Sequence, residues 1–256
     1  MSKRQKFIII SLLMTGGLAI LGGLSVPQKA VGGLVLSLLG AFLTYLVLRQ
    51  ELDRLEFLTL LTPPFLLTLS FSLIFYFFPN FNTLFTLVIL GAFFAIFYSG
   101  ILAGNIFSAA AAKNLLLLKP AQTTFLFVIL TIFFLLSTHI FKIGFNFILQ
   151  YILSFLLAYL LAFLVFWTQT LNKTAKFEIS KARQWAFMAA VTAFLSVWGL
   201  TFLRLEPFFR GLVQTAAFNA VLGVYLAKQS RQLTGKVIFE YLLIPALALG
   251  FSIVVS

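Results

Sequence analysis

The sequence predicts an all-α, polytopic helical membrane bundle of about nine transmembrane helices with a cytoplasmic N-terminus. Three observations carry this prediction. Predominantly apolar stretches long enough to cross a hydrocarbon core of ~30 Å recur nine times. Hydrophobic residues make up 62% and charged residues 9% of the 256, with a mean hydropathy of +1.10, which is far too little charge for the surface of a soluble domain. Lys and Arg gather in alternate gaps between the stretches, and such an excess marks cytoplasmic loops.

The predicted spans lie at residues 7–25, 30–48, 57–78, 84–104, 122–141, 145–167, 184–203, 211–227 and 237–255, and residues 1–256 read as a single integral membrane domain. Because backbone groups in hydrocarbon must bond within their own segment, runs near 20 residues require helices and exclude a barrel. The first span follows a basic start, as in a signal sequence. Its apolar run is long, however, and Val26-Pro27-Gln28-Lys29 offers no small-x-small cleavage site, so it is expected to be retained. The second carries small residues at Gly33, Ser37 and Ala41. In the third, Pro63-Pro64 either interrupts the helix or, with Thr62 as N-cap, begins it. The fourth continues inward through Gly100, Gly104, Ser108 and Ala112, four residues apart, so that one face is suited to close helix packing.

The fifth span places His139 near its outer end, and the sixth carries Gln150. Trp167, Trp185 and Trp198 stand near span ends, where amphipathic rings anchor at headgroups. The 33 Phe residues are spread through nearly every span and are read as lipid-facing or interhelical filling. The eighth span has a second small-residue face, Gly211, Thr215, Asn219, Gly223 and Ala227. Pro245 in the ninth removes a helix hydrogen bond and predicts a kink.

Fourteen of the 18 basic residues fall on one side: Lys3, Arg4, Lys6, Arg49, Arg54, Lys113, Lys119, Lys173, Lys176, Lys181, Arg183, Lys228, Arg231 and Lys236. Only Lys29, Lys142, Arg204 and Arg210 fall on the other. The net charge of +12 lies at span ends and forms no stripe on a folded face, so nucleic acid is not expected. Membrane lipids with anionic headgroups are the expected partners, together with other membrane subunits. The expected location is a bacterial plasma membrane.

Cys is absent and His139 is the single His, so neither thiolate chemistry nor an ordinary zinc site is available, and no metal or cofactor is expected. Ionisable or amide groups within spans are the candidates for function, because their burial is costly. Glu240 is the one acid inside a span. It either pairs with Lys236 at the interface or is a buried carboxylate that binds a proton or cation. Asn219, mid-span on a small-residue face, is a polar latch between helices or a substrate contact, with Gln150, Asn105 and Gln214 as companions. Arg204 and Arg210, flanking Glu206 and Pro207, are candidates to hold an anion.

The inner segment Arg49–Glu56 holds Asp53 and Glu56 three residues apart, a spacing able to hold Mg²⁺ on a diphosphate. Intramembrane prenyltransferases use two such loops. The second one here, Leu171 to Arg183, contains only Glu178, so a salt-paired turn (Arg49 with Asp53, Glu51 with Arg54) accounts better for the first. No Walker loop, HExxH or GxSxG occurs. The leading expectation is a non-enzymatic membrane component or scaffold subunit. A small transporter or permease for a neutral or lipidic substrate comes second, and a transferase acting on lipid or isoprenoid phosphates third.

Overall fold

A computed structural model describes residues 2–48, 54–78, 81–110, 117–171 and 178–255. Among them are nine helices and no strand: α1 (Lys3–Gly22), α2 (Val26–Leu48), α3 (Arg54–Phe77), α4 (Thr83–Ala110), α5 (Leu118–Ile143), α6 (Phe147–Thr170), α7 (Ile179–Thr201), α8 (Pro207–Gln229) and α9 (Gly235–Val255). Each predicted stretch falls on one helix. Eight are long and apolar enough to cross a membrane, α8 being the one that is not. The protein is a membrane-embedded helical bundle. Glu51, Asp53, Ala112, Lys113, Lys173 and Lys176 lie outside the described residues.

Helix starts follow the sequence closely. Ser2 caps α1 through a full capping box, its hydroxyl accepting from Gln5 N while Gln5 Oε1 accepts from Ser2 N. At α2 the Gln28 side chain accepts from Ser25 N at 3.1 Å. Asn82, Asn146 and Thr234 accept from the first-turn amides of Phe85, Leu149 and Val237. Pro63 and Pro64 lie inside α3, not at its start, and Thr68 Oγ1 donates to the Pro64 carbonyl at 2.8 Å.

The described residues pack as two compact units, Met1–Ile132 and Phe133–Ser256, with the division falling inside α5. In the first, α2 packs most extensively on α3, and α1 lies against α2 and α4. The polarity of α2 is inverted relative to a helix of a soluble protein. It buries Gly33, Ser37, Gly40 and Thr44 and exposes Val31, Leu34, Leu38 and Phe42, as a helix does when its surroundings are as apolar as leucine. A Cβ at Gly33 would lie 2.9 Å from Ser72 Cβ, and one at Gly40 would lie 3.1 Å from Thr68 Oγ1. These contacts set an antiparallel register that brings Lys29, only 4% exposed, level with the last turn of α3. The negative dipole end there favours a cation.

In the second unit the tightest pair is α6 on α7. Its seam is built of small residues, Ser154, Ala158 and Ala162 on α6 and Ala182, Ala186, Ala189, Ala190 and Ala193 on α7, all buried. Phe166, Trp185 and Tyr225 tie α6, α7 and α8 together, with Trp185 stacked on Tyr225 at 5.3 Å. The expected aromatic belt is therefore corrected in part, because Trp167 is buried and Trp185 serves packing, while Trp198 is 55% exposed. Helix α9 packs on α8 but leaves Phe239, Leu242, Leu243, Leu247 and Phe251 exposed as a lipid-type face.

Candidate functional site

The sequence candidates settle into different places. Glu240 is 59% exposed, and its carboxylate is 3.9 Å from Lys236 Nζ one turn earlier. Of the contacts expected for it, the pair with Lys236 is present. Gln150 is buried in the first turn of α6, where its Nε2 donates to the Phe145 carbonyl at 2.7 Å, beside the corner that Gly144 makes with φ +70°. Tyr151 meets Phe194 of α7, whereas Phe251 of α9 meets Phe209 at the start of α8. Glu240 is eleven residues from Phe251, about 16 Å along the axis of α9, so Glu240 and Gln150 occupy opposite ends of this unit. Asn219 is half-buried, and its side chain makes no hydrogen bond among the described residues.

The two outer arginines also diverge. Arg204 is exposed, and Arg210 turns its Nη2 to the Leu203 carbonyl at 3.1 Å. Glu206, exposed at the N-cap of α8, makes no ion pair with either.

Further buried polar residues lie on α5 and α8 at matching levels. One face of α8 carries Gly211, Gln214, Phe218 and Leu222 at helical spacing, all buried. At one end of this face a Cβ on Gly211 would lie 3.1 Å from the backbone N of Thr138 and 3.2 Å from its Cα, and closer still to its Oγ1. At the other end Phe218 stacks on Phe133, ring centroids 4.2 Å apart. These two contacts run the helices antiparallel and place Gln214 level with Phe134 to Ser137. Gln214 is 0% exposed, and neither its Oε1 nor its Nε2 has a hydrogen-bond partner among the described residues. Ser137 Oγ, Thr138 Oγ1 and Arg210 Nε are likewise buried and without partners. His139, next along α5 and read from the sequence as lying near the outer end of the fifth span, is buried too.

The chain belongs to the DUF5656 family, described as proteins of unknown function. The family profile matches residues 11–255, so all nine helices contribute to the DUF5656 match. No curated protein and no solved structure matches the chain.

Sequence reasoning named Gln214 only as a companion of Asn219 and passed over Ser137 and Thr138. The missed signal is the register of α8: residues five apart on a helix point in directions about 140° apart, so Asn219 and Gln214 cannot share a face. Chemically this group offers two hydroxyls, one amide and one guanidinium N–H. It can bind and orient a polar partner by hydrogen bonds.

Proposed function

We propose that this DUF5656 protein is a non-enzymatic integral membrane component, a scaffold or partner subunit that contacts lipid and other membrane proteins. The observation that supports this reading is the fate of the groups best suited to chemistry. Glu240 closes an exposed pair with Lys236, and Gln150 bonds the carbonyl of Phe145. Each is used within its own segment, as structural groups are. The outward apolar residues of α2 and α9 add broad surfaces for acyl chains or partner helices.

On the same reading the N-terminus faces the cytoplasm of a bacterial cell and the basic loops meet anionic headgroups, as the charge asymmetry implies. Single Cys substitutions in this Cys-free chain test the orientation. Ser230→Cys should label only from inside and Asn82→Cys only from outside, and labelling of both from one side would break it.

The role itself is tested by extraction in mild detergent followed by native mass spectrometry. The scaffold reading expects the chain in a stable complex with other membrane proteins. A clean monomer that carries solute flux in liposomes would replace it with the second reading, a small permease for a neutral or lipidic substrate, which the unpartnered polar group at Gln214 favours. Loss of that flux in Gln214→Leu would locate the pathway.

A further inference from the structure

We infer that Arg210, Gln214, Thr138 and Ser137 form a binding site for a phosphate-type oxyanion. The inference stands on side-chain placement and does not need the scaffold reading. The contacts of Gly211 with Thr138 and of Phe218 with Phe133 set a register that brings Gln214 level with Ser137 and Thr138, and Arg210 precedes Gly211 on the same helix. Gln214 is 0% and Thr138 6% exposed, and their polar atoms, with Ser137 Oγ and Arg210 Nε, have no partner among the described residues. Burying such atoms unpaired costs about 1 to 3 kcal/mol each, so a ligand that accepts from the donors among them recovers part of that cost.

The chemistry of the group selects the ligand. Arg210 Nε–H, Gln214 Nε2–H and the hydroxyls of Ser137 and Thr138 are all able to donate, and Arg210 brings a full positive charge. The nearest acid in sequence, Glu206, is exposed and forms no ion pair with Arg210. Several donors and one cation suit an oxyanion better than a neutral amide or hydroxyl. Arg204, exposed, is not part of the group.

Either an anionic lipid headgroup or a free phosphate carries this chemistry, and the test separates them. The full-length protein is prepared in phosphatidylcholine nanodiscs, and its thermal unfolding is followed with inorganic phosphate in the buffer and, separately, with phosphatidylglycerol in the disc. A rise in unfolding temperature with either probe is expected, provided that it is abolished in the double variant Thr138→Val/Gln214→Leu. Response to phosphatidylglycerol alone identifies a lipid site, and response to inorganic phosphate alone or to both identifies a site open to free anions. The near-isosteric Thr138→Val alone keeps the test decisive if the double variant does not fold, since losing one charge-assisted hydrogen bond should weaken binding about tenfold or more. No response to either probe, or equal responses in wild type and variants, would overturn the site.

Discussion

Both compact units bury polar atoms in an apolar setting and bond some of them back to their own helix, as Thr168 and Ser252 do in the second. The second leaves more of them unpaired among the described residues. In Met1–Ile132 the buried hydroxyls mostly bond back to their own helix: Ser11 to Phe7, Ser37 to Gly33, Thr44 to Gly40 and Thr68 to Pro64, at 2.7 to 2.9 Å. Each satisfies itself without a partner helix. Ser72 Oγ and Asn105 Oδ1 are exceptions there. In Phe133–Ser256 the unpartnered atoms gather: Ser137, Thr138, Ser154, Arg210 and both ends of Gln214. The first unit is thus built to be stable as it stands, while the second retains binding capacity that its own fold leaves unused. The inferred oxyanion site belongs to the second.

The largest effect that could break this comparison is steric. In Gly40→Ala the new Cβ meets the flexible end of Met14, which can move, and Thr68 Oγ1 at 3.1 Å. In Gly211→Ala it meets the backbone of Thr138, which cannot. Equilibrium unfolding in mixed micelles should show a loss of about 1 to 3 kcal/mol for Gly211→Ala and less than about 1 for Gly40→Ala. Equal losses would mean that the α5–α8 approach is no tighter than the seams of the first unit.

Next comes polarity. In zwitterionic micelles without phosphate, Gln214→Leu should stabilise the protein by about 1 kcal/mol, because an unpaired buried amide is removed. Thr44→Val removes a satisfied hydroxyl and should be neutral or slightly destabilising. Destabilisation by Gln214→Leu would show that the amide is paired, and the contrast between the units would fall.

Backbone strain in the second unit is a smaller term. Arg231 follows α8 with φ +57°, and the amide of Gln232 bonds the Ala227 carbonyl at 2.9 Å, a helix ending that glycine normally supplies. Arg231→Gly should raise stability by about 0.5 to 1 kcal/mol in the same assay. Least of all is Glu240→Gln, expected within about 0.5 kcal/mol because its pair with Lys236 is exposed. A larger effect would reopen the buried-carboxylate role.

How much of this was legible follows from what each feature depends on. Spans are set by composition over some 20 residues, and so the nine stretches and the helices coincide. Packing faces depend on which neighbour each helix meets. The face through Gly33 and Ser37 proved a tight seam, and the alanines of α7 were overlooked because alanine is both small and ordinary in any helix. Pro63 and Pro64 read equally well as a start or an interruption, since only the backbone upstream decides between them. Asn219 stood out by type and Gln214 by place, and place is a tertiary fact.

The polarity of α8 has a consequence for biogenesis. With Arg210, Gln214, Asn219 and Lys228 in 23 residues, it is poorly suited to partition into the bilayer as a lone segment leaving the translocon. Its contacts with α9, Gly223 against Tyr241 and Phe209 against Phe251, supply what it lacks. The two should therefore enter the membrane as a hairpin, with α8 waiting until its strongly apolar successor has been made. A chain stopped at Thr234 should leave α8 accessible to protease, and one carried through Val255 should protect it.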